Sequence, residues 1–398
     1  RQPGSCFKIL TTYAPALDIC GATLATTAYD TQLIIDNRSI LNWWGKNHVG
    51  YANIREGVMA SMNTFAVKIL NDTVTVNTGY EYARSFGITT LVSADKNPLL
   101  PLGGLTYGAT NEEMTAAYAC IANDGVYTEP IYWTLVTDAS GNVILEKEPQ
   151  TKTVIKKTTA RLLTSAMESS IDPDWFVPFP RDGITATSID CLLPTMAAAG
   201  KSGTTTAAND IWFIGYTPYY TLGVWSGYDS GKSFGSSPGY HKVIWQNIME
   251  RVSEFNEPAE FDYSSLVKCT ICSKSGLLAK PGVCENCYDE NCHIYEEYFA
   301  PGTEPKEYCN RHALYSVCLL SGELASEDCP EAYVYKKAFL SIDSEDQGKY
   351  QTSDDLMTFA RYDLQTVCEL HHTVEPTEEP TEEETGEEQT DQEETGEE

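Results

Sequence analysis

The chain has 398 residues, 42% of them hydrophobic, which is enough for two or three domains of ordinary size and one sizeable core. Acidic side chains number 57 against 27 basic ones, for a formal net charge of −30. A phosphate backbone is repelled by such a surface, which argues against nucleic-acid binding. There is no apolar run of about 18 residues and no charged start leading into an apolar stretch, so the sequence displays neither a membrane-spanning helix nor a signal peptide.

Charge and cysteine divide the chain into three parts. Residues 1–255 hold 23 acids and 18 bases, residues 256–373 hold 21 and 9, and residues 374–398 hold 13 acids and no base. Cys6, Cys20, Cys120 and Cys191 are scattered through the first part, whereas nine cysteines crowd into 269–368. The expected organisation is a globular domain over 1–255, a cysteine-rich extension over 256–373, and an acidic tail over 374–398. The tail repeats ETGEE and has too little apolar surface to offset its ordering entropy, so it is expected to be disordered.

In chain order, Pro3-Gly4 breaks the backbone ahead of an apolar helix, placing Ser5 at its N-terminus and Lys8 one turn later. Helical stretches over 54–60 and 64–70 flank Ser61-Met62-Asn63. Thr110 and Glu113 form a capping box ahead of Met114, Ala117, Tyr118 and Ile121 at helical spacing, and Gly125 closes that helix. Residues 132–137 and 142–146 flank Asp138-Ala139-Ser140-Gly141 as a hairpin. Residues 158–170 form a further helix. Strands over 211–216 and 221–227 flank Thr217-Pro218-Tyr219-Tyr220, and a helix covers 241–254. Helices interleaved with antiparallel strands give an α+β class, and no solenoid-type repeat is read.

Three short motifs carry chemistry. In Ser5-Cys6-Phe7-Lys8 a serine has an amine within reach as a base, at the positive end of a helix. Ser61-Met62-Asn63 adds a second hydroxyl and an amide, although a plain helix cap explains it equally well in isolation. Lys201-Ser202-Gly203-Thr204 is not a phosphate loop, because Thr195 stands where that motif needs glycine and a strand follows rather than a helix. Gly203 instead permits close backbone approach, and Lys201 with Thr204 suits a substrate carboxylate.

The order S-x-x-K, S-x-N, K-[ST]-G resembles that of penicillin-binding proteins and serine β-lactamases. The segments Arg1 to Lys8 and Arg55 to Asn63 resemble the corresponding parts of penicillin-binding transpeptidases. The run from Gly200 through Asp210-Ile211-Trp212-Phe213 to Tyr228-Asp229, with Leu102-Gly103-Gly104, is similar to class A members, the bifunctional peptidoglycan synthases. Serine at 202 departs from the commoner threonine. The family also has strands upstream of the nucleophile and, in class A, a glycosyltransferase domain and a membrane anchor. The chain is therefore expected to be the C-terminal part of a longer protein whose glycosyltransferase activity lies elsewhere, with an open sheet edge where those strands would pair and no activity as an isolated fragment.

The resemblance implies an N-terminally truncated transpeptidase fold and a serine D,D-transpeptidase acting on peptidoglycan stem peptides of lipid II-derived strands. β-Lactams would be ligands, other cell-wall assembly proteins potential partners, and the extracytoplasmic face of a bacterial membrane the location. Ser5 would attack the D-Ala-D-Ala carbonyl and neutral Lys8 take its proton. Ser61 would relay a proton and Asn63 orient Lys8. Lys201, Ser202 and Thr204, with Gly203 and Thr205 alongside, would bind the carboxylate, and the backbone N–H groups of Ser5 and Thr204 would form the oxyanion hole. A free lysine titrates at about 10.4, so a base near pH 7 needs its ammonium destabilised by about 4–5 kcal/mol. No metal or organic cofactor is called for. The alternatives are a D,D-carboxypeptidase or β-lactamase, and a non-catalytic β-lactam-binding or cell-surface interaction protein.

In the extension, Cys269-x2-Cys272 and Cys284-x2-Cys287 have zinc-ribbon spacing. Cys292, Cys309, Cys318, Cys329 and Cys368 follow, with His312 near Cys309. A metal site and a disulfide framework both fit; the implied extracytoplasmic location favours disulfides of unspecified connectivity. The extension is either a stapled spacer or a wall-binding or partner-docking module.

Overall fold

A computed structural model describes residues 1–45, 48–172, 185–236, 238–287, 292–341 and 366–371. The acidic tail and its expected disorder lie outside the described residues.

Three antiparallel strands form the central sheet of the first part. Asp210–Tyr216 runs in the middle, between Ala199–Thr204 and Thr221–Gly227. Its sequence, DIWFIGY, is apolar almost throughout because both faces are covered. Trp212, Ile214 and Tyr216 enter the main core with the helices Asn111–Ala122 and Lys157–Glu168. Phe213 points the other way, edge-on to Trp245 of the helix Tyr240–Ser253. The period of two along one strand thus builds a helix–sheet–helix sandwich. Thr221–Gly227 is half-buried along its length and pairs only with Asp210–Tyr216 among the described residues. The α+β reading holds, and both expected hairpins form.

Helix ends follow their local signals. The Thr110–Glu113 capping box closes in both directions. At the far end Gly125 N–H donates to the Cys120 carbonyl, with Gly125 at φ 89°. The Ser5 segment begins as a 3-10 turn, Gly4–Cys6, and continues through a π-helical stretch, Ile9–Tyr13, into Ala14–Asp18. The π stretch was not legible in the sequence; all five of its residues are buried.

The cysteine-rich part folds as two strand pairs, Val267–Cys272 with Ile294–Phe299 and His312–Cys318 with Val334–Leu340. The first pair docks on the core. Buried Arg55 meets buried Glu297, Nε to Oε2 at 2.7 Å and Nη2 to Oε1 at 2.5 Å, and its Nη1 reaches the Ser165 carbonyl at 2.8 Å. Among the described residues no helix is long and apolar enough to cross a membrane.

Candidate active site

The site assembles where the Ser5 turn, the Ser61 loop and the Lys201 strand meet. Glycines make the first contact possible. A Cβ on Gly203 would overlap the Pro3 carbonyl oxygen and lie 2.9 Å from the Cys6 sulfur. Gly4, at φ 55°, has the Thr204 amide nitrogen 3.1 Å from where its Cβ would stand. Trp212 Nε1 donates to the Gln2 carbonyl at 2.8 Å, and the Cys6 thiol to the Lys201 carbonyl at 3.3 Å. The Tyr118 hydroxyl donates to the Cys6 carbonyl at 2.8 Å. These bonds fix the turn that presents Ser5 against the strand that carries Thr204.

Ser61 lies between the helices Ile54–Met59 and Asn63–Ile69. Its φ of 54° is in the left-handed region, which costs a side-chain-bearing residue about 1–2 kcal/mol. This geometry turns the Ser61 carbonyl onto Lys8. Lys8 Nζ donates to that oxygen at 2.7 Å and to Asn63 Oδ1 at 2.7 Å, with the Ser61 hydroxyl at 3.5 Å. A neutral amine has two N–H donors and one lone pair. Two short bonds to oxygen use both donors and leave the lone pair for a hydroxyl proton.

Electrostatics favours that neutral form. Lys8 is wholly buried, and burial, reinforced by the Lys201 charge, holds its pKa well below the ordinary lysine range. Lys201 is also wholly buried, and burial brings it down to about 8. Cys6, next to Ser5, is pushed the other way by burial, to about 12, so it stays a thiol and is no competing nucleophile near neutral pH.

A cleft of about 550 Å³ opens over these groups. Ser5, Ser61, Ser202 and Thr204 line it together, so four hydroxyl-bearing residues from three distant segments border one space. Among the expected hydroxyl-bearing residues Thr205 is the exception, and Lys8, Asn63 and Lys201 are not among the cleft's lining residues. Its hydroxyl accepts the Asp210 N–H at 2.9 Å and caps the turn between strands. Gly203 serves the close approach to the Ser5 turn.

The sequence reading missed the groups that hold this arrangement. Buried Asn42 accepts the Asn63 N–H at 2.7 Å, and buried Asp30 accepts from Asn42, the Val49 N–H and the Thr64 hydroxyl. Trp43, Thr187, Asp190 and Lys242 line the cleft, and Lys242 pairs with Asp190 at 3.3 Å. No short pattern links these residues to the motifs they support.

In the cysteine-rich part, the structure regroups the expected set. Cys272 and Cys284 meet Cys309 and His312 in a buried cluster, while Cys287 lies on the other side of the His312 ring. Cys269 packs instead beside Ile271 and Phe299. Residues three apart on a strand face opposite sides, so Cys269 and Cys272 do not form a knuckle.

Comparison with known proteins agrees with this geometry. Residues 1–229 match the family described as penicillin binding protein transpeptidase domain, and residues 262–314 match the penicillin-binding protein 1A C-terminal domain. Penicillin-binding protein 1A of Clostridium botulinum is 31% identical over 361 residues, spanning 86% of this chain and 41% of that protein. Penicillin-binding protein 2D of Bacillus subtilis is 32% identical over 320 residues, spanning 78% and 43%. The chain thus spans about two fifths of the length of these relatives. Among solved structures, penicillin-binding protein 1A of Haemophilus influenzae superposes with a TM-score of 0.64 at 21% identity, covering 77% of this chain and 49% of that one. The PonA1 protein of Mycobacterium tuberculosis in complex with penicillin V gives 0.56 at 25% identity, covering 66% and 72%. With more than half its length matched and the buried Lys8 amine bonded to the Ser61 carbonyl, the chain belongs to the penicillin-binding protein transpeptidase family.

Proposed function

We propose that this chain is the D,D-transpeptidase portion of a peptidoglycan synthase, with Ser5 as nucleophile. One observation carries the reading. The Lys8 amine is buried, held well below the ordinary lysine pKa range by that burial, and bonded to the Ser61 carbonyl and Asn63 Oδ1 beneath the cleft that Ser5 lines.

The reaction follows from that placement. Ser5 Oγ attacks the carbonyl carbon of a stem-peptide D-Ala-D-Ala bond as Lys8 takes its proton. The C–N bond breaks, and the departing D-alanine amine receives a proton from Lys8 through the Ser61 hydroxyl. An amine of a second stem peptide then attacks the Ser5 ester, which forms the crosslink and restores the serine; attack by water gives the carboxypeptidase outcome. The backbone N–H groups of Ser5 and Thr204, on segments that meet where Gly4 approaches Thr204, suit the developing oxyanion. Lys201, Ser202 and Thr204 suit the terminal carboxylate. β-Lactams, which present a strained amide beside a carboxylate, would acylate the same serine. The substrates lie outside the membrane, so the domain works on the extracytoplasmic face.

Fluorescent penicillin applied to the full-length protein tests this. Wild type should carry a covalent label that survives denaturation, and Ser5→Ala should carry none. Labelling that persists in Ser5→Ala would remove Ser5 as nucleophile.

A further inference from the structure

The cysteine-rich part contains an internal duplication, and each copy ends in the same four donors. Cys272-x2-Ser275-Gly276-x-Leu278-Ala279 reappears as Cys318-x2-Ser321-Gly322-x-Leu324-Ala325. A cysteine follows in each, Cys284 and Cys329. A strand comes next, and each copy closes on Cys-x2-His, Cys309 to His312 and Cys368 to His371.

The backbones repeat as closely as the sequence. Gly276 N–H donates to the Cys272 carbonyl at 2.9 Å, and Gly322 N–H to Cys318 at 2.8 Å, with φ 69° and 76°. Ile271 bridges Leu278 as Val317 bridges Leu324. Leu278 bridges Tyr308 in parallel as Leu324 bridges Val367. Cys309 N–H donates to the Leu278 carbonyl and Cys368 N–H to the Leu324 carbonyl, both at 2.8 Å.

Both copies bring their four donor atoms within 4.8 Å of one another: Cys272, Cys284, Cys309 and His312 in the first, Cys318, Cys329, Cys368 and His371 in the second. In the first, His312 Nδ1 lies 3.4, 3.8 and 3.3 Å from the three sulfurs. In the second, His371 Nε2 lies 3.5 Å from the Cys318 sulfur. Metal–sulfur and metal–nitrogen bonds of about 2.3 and 2.0–2.1 Å at tetrahedral angles put sulfur and nitrogen about 3.6 Å apart. The observed separations straddle that value.

We infer that this part of the chain is a tandem pair of structural Cys3His sites for a tetrahedral, thiophilic divalent cation, zinc being the ion of that chemistry. Three thiols per site also explain why disulfides, favoured by the implied compartment, suit the clusters poorly. A disulfide uses two sulfurs and strands the third with the imidazole. Around the first site the Lys280 N–H donates to the Cys284 sulfur at 3.2 Å, and His312 Nε2 faces the sulfurs of Cys287 and Cys292 at 3.3 and 3.1 Å. Such outer contacts fix the ring so that Nδ1 presents its lone pair. The first site closes the loop bearing Lys274 and Gly276, and these lie against the Tyr51 and Ala25 carbonyls of the transpeptidase part.

The test is metal content and thiol state of the full-length protein, purified from membranes of its own host without reductant or added metal. Two zinc equivalents per chain and unoxidised tetrad cysteines are expected. Cys368→Ser, in the second site, should retain one. Because a variant can misfold, the wild type is also stripped with chelator and refilled with cobalt(II). Refilling should take two equivalents and give the thiolate-to-cobalt absorption and visible bands of tetrahedral sites. Fewer than two zinc equivalents in the wild type, or disulfides joining tetrad cysteines by mass spectrometry, would overturn the inference.

Discussion

Arg55 and Glu297, 242 residues apart, face each other as a buried, doubly bonded ion pair between the helix that leads to Ser61 and a strand of the cysteine-rich part. The Ser165 carbonyl and hydroxyl accept two more Arg55 N–H bonds at 2.8 and 3.0 Å. One guanidinium thus joins the Ser61 helix, the Lys157–Glu168 helix and the extension. The extension is therefore part of the framework behind the active site.

Removing one partner leaves the other charged and buried, at a cost of about 3–5 kcal/mol. Glu297→Ala should lower the denaturant midpoint accordingly and slow acylation, because the helix leading into Ser61 loses its anchor. The double variant Arg55→Met/Glu297→Leu should recover most of the midpoint. Calorimetry or urea unfolding beside penicillin labelling checks both.

The pH dependence of acylation has two limbs with assigned causes. In the proposed role of base Lys8 would act only when neutral, and its pKa is lowered by burial and by Lys201, so the rate should fall on the acid side as Lys8 takes up a proton. In the proposed role of carboxylate anchor Lys201 would act only when charged, and burial brings its pKa down to about 8, so the rate should fall again above that pH. Lys201→Met removes a positive charge near Lys8 and should move the acid limb to higher pH while lowering the maximum. Stopped-flow acylation across pH reads both effects; an unmoved acid limb would show that the two amines are not coupled.

Gly203→Ala should leave the sheet paired yet displace Ser5, the proposed nucleophile. The new methyl group would meet the Pro3 carbonyl and the Cys6 sulfur, and the Ser5 turn must give way. A displacement near 1 Å costs about 100-fold in rate. Acylation should fall by about that factor, with a far smaller change in melting temperature.

Much of the site could be read from sequence because its chemistry is carried by short local segments. Ser5 with Lys8 and Ser61 with Asn63 each lie within about one turn, and Ser202 with Thr204 share one face of a strand, so spacing reports geometry. The supports are non-local. Asn42 and Asp30 act on Asn63 and Thr64 through tertiary hydrogen bonds that no period encodes. Thr205 looked like a continuation of the carboxylate site but is taken by a turn. In the extension, spacing grouped Cys269 with Cys272, and strand alternation separates them. The duplication escaped because insertions between the second cysteine and Cys-x2-His differ in length between copies, which hides the period while preserving the backbone pattern.

The most direct measurement of the central claim is the position of the covalent adduct. Full-length protein is reacted with penicillin, digested, and the penicilloyl group located by tandem mass spectrometry. The account predicts the adduct on Ser5 alone. An adduct on the Ser61 hydroxyl or the Cys6 thiol, both within the same cluster of residues, would contradict it.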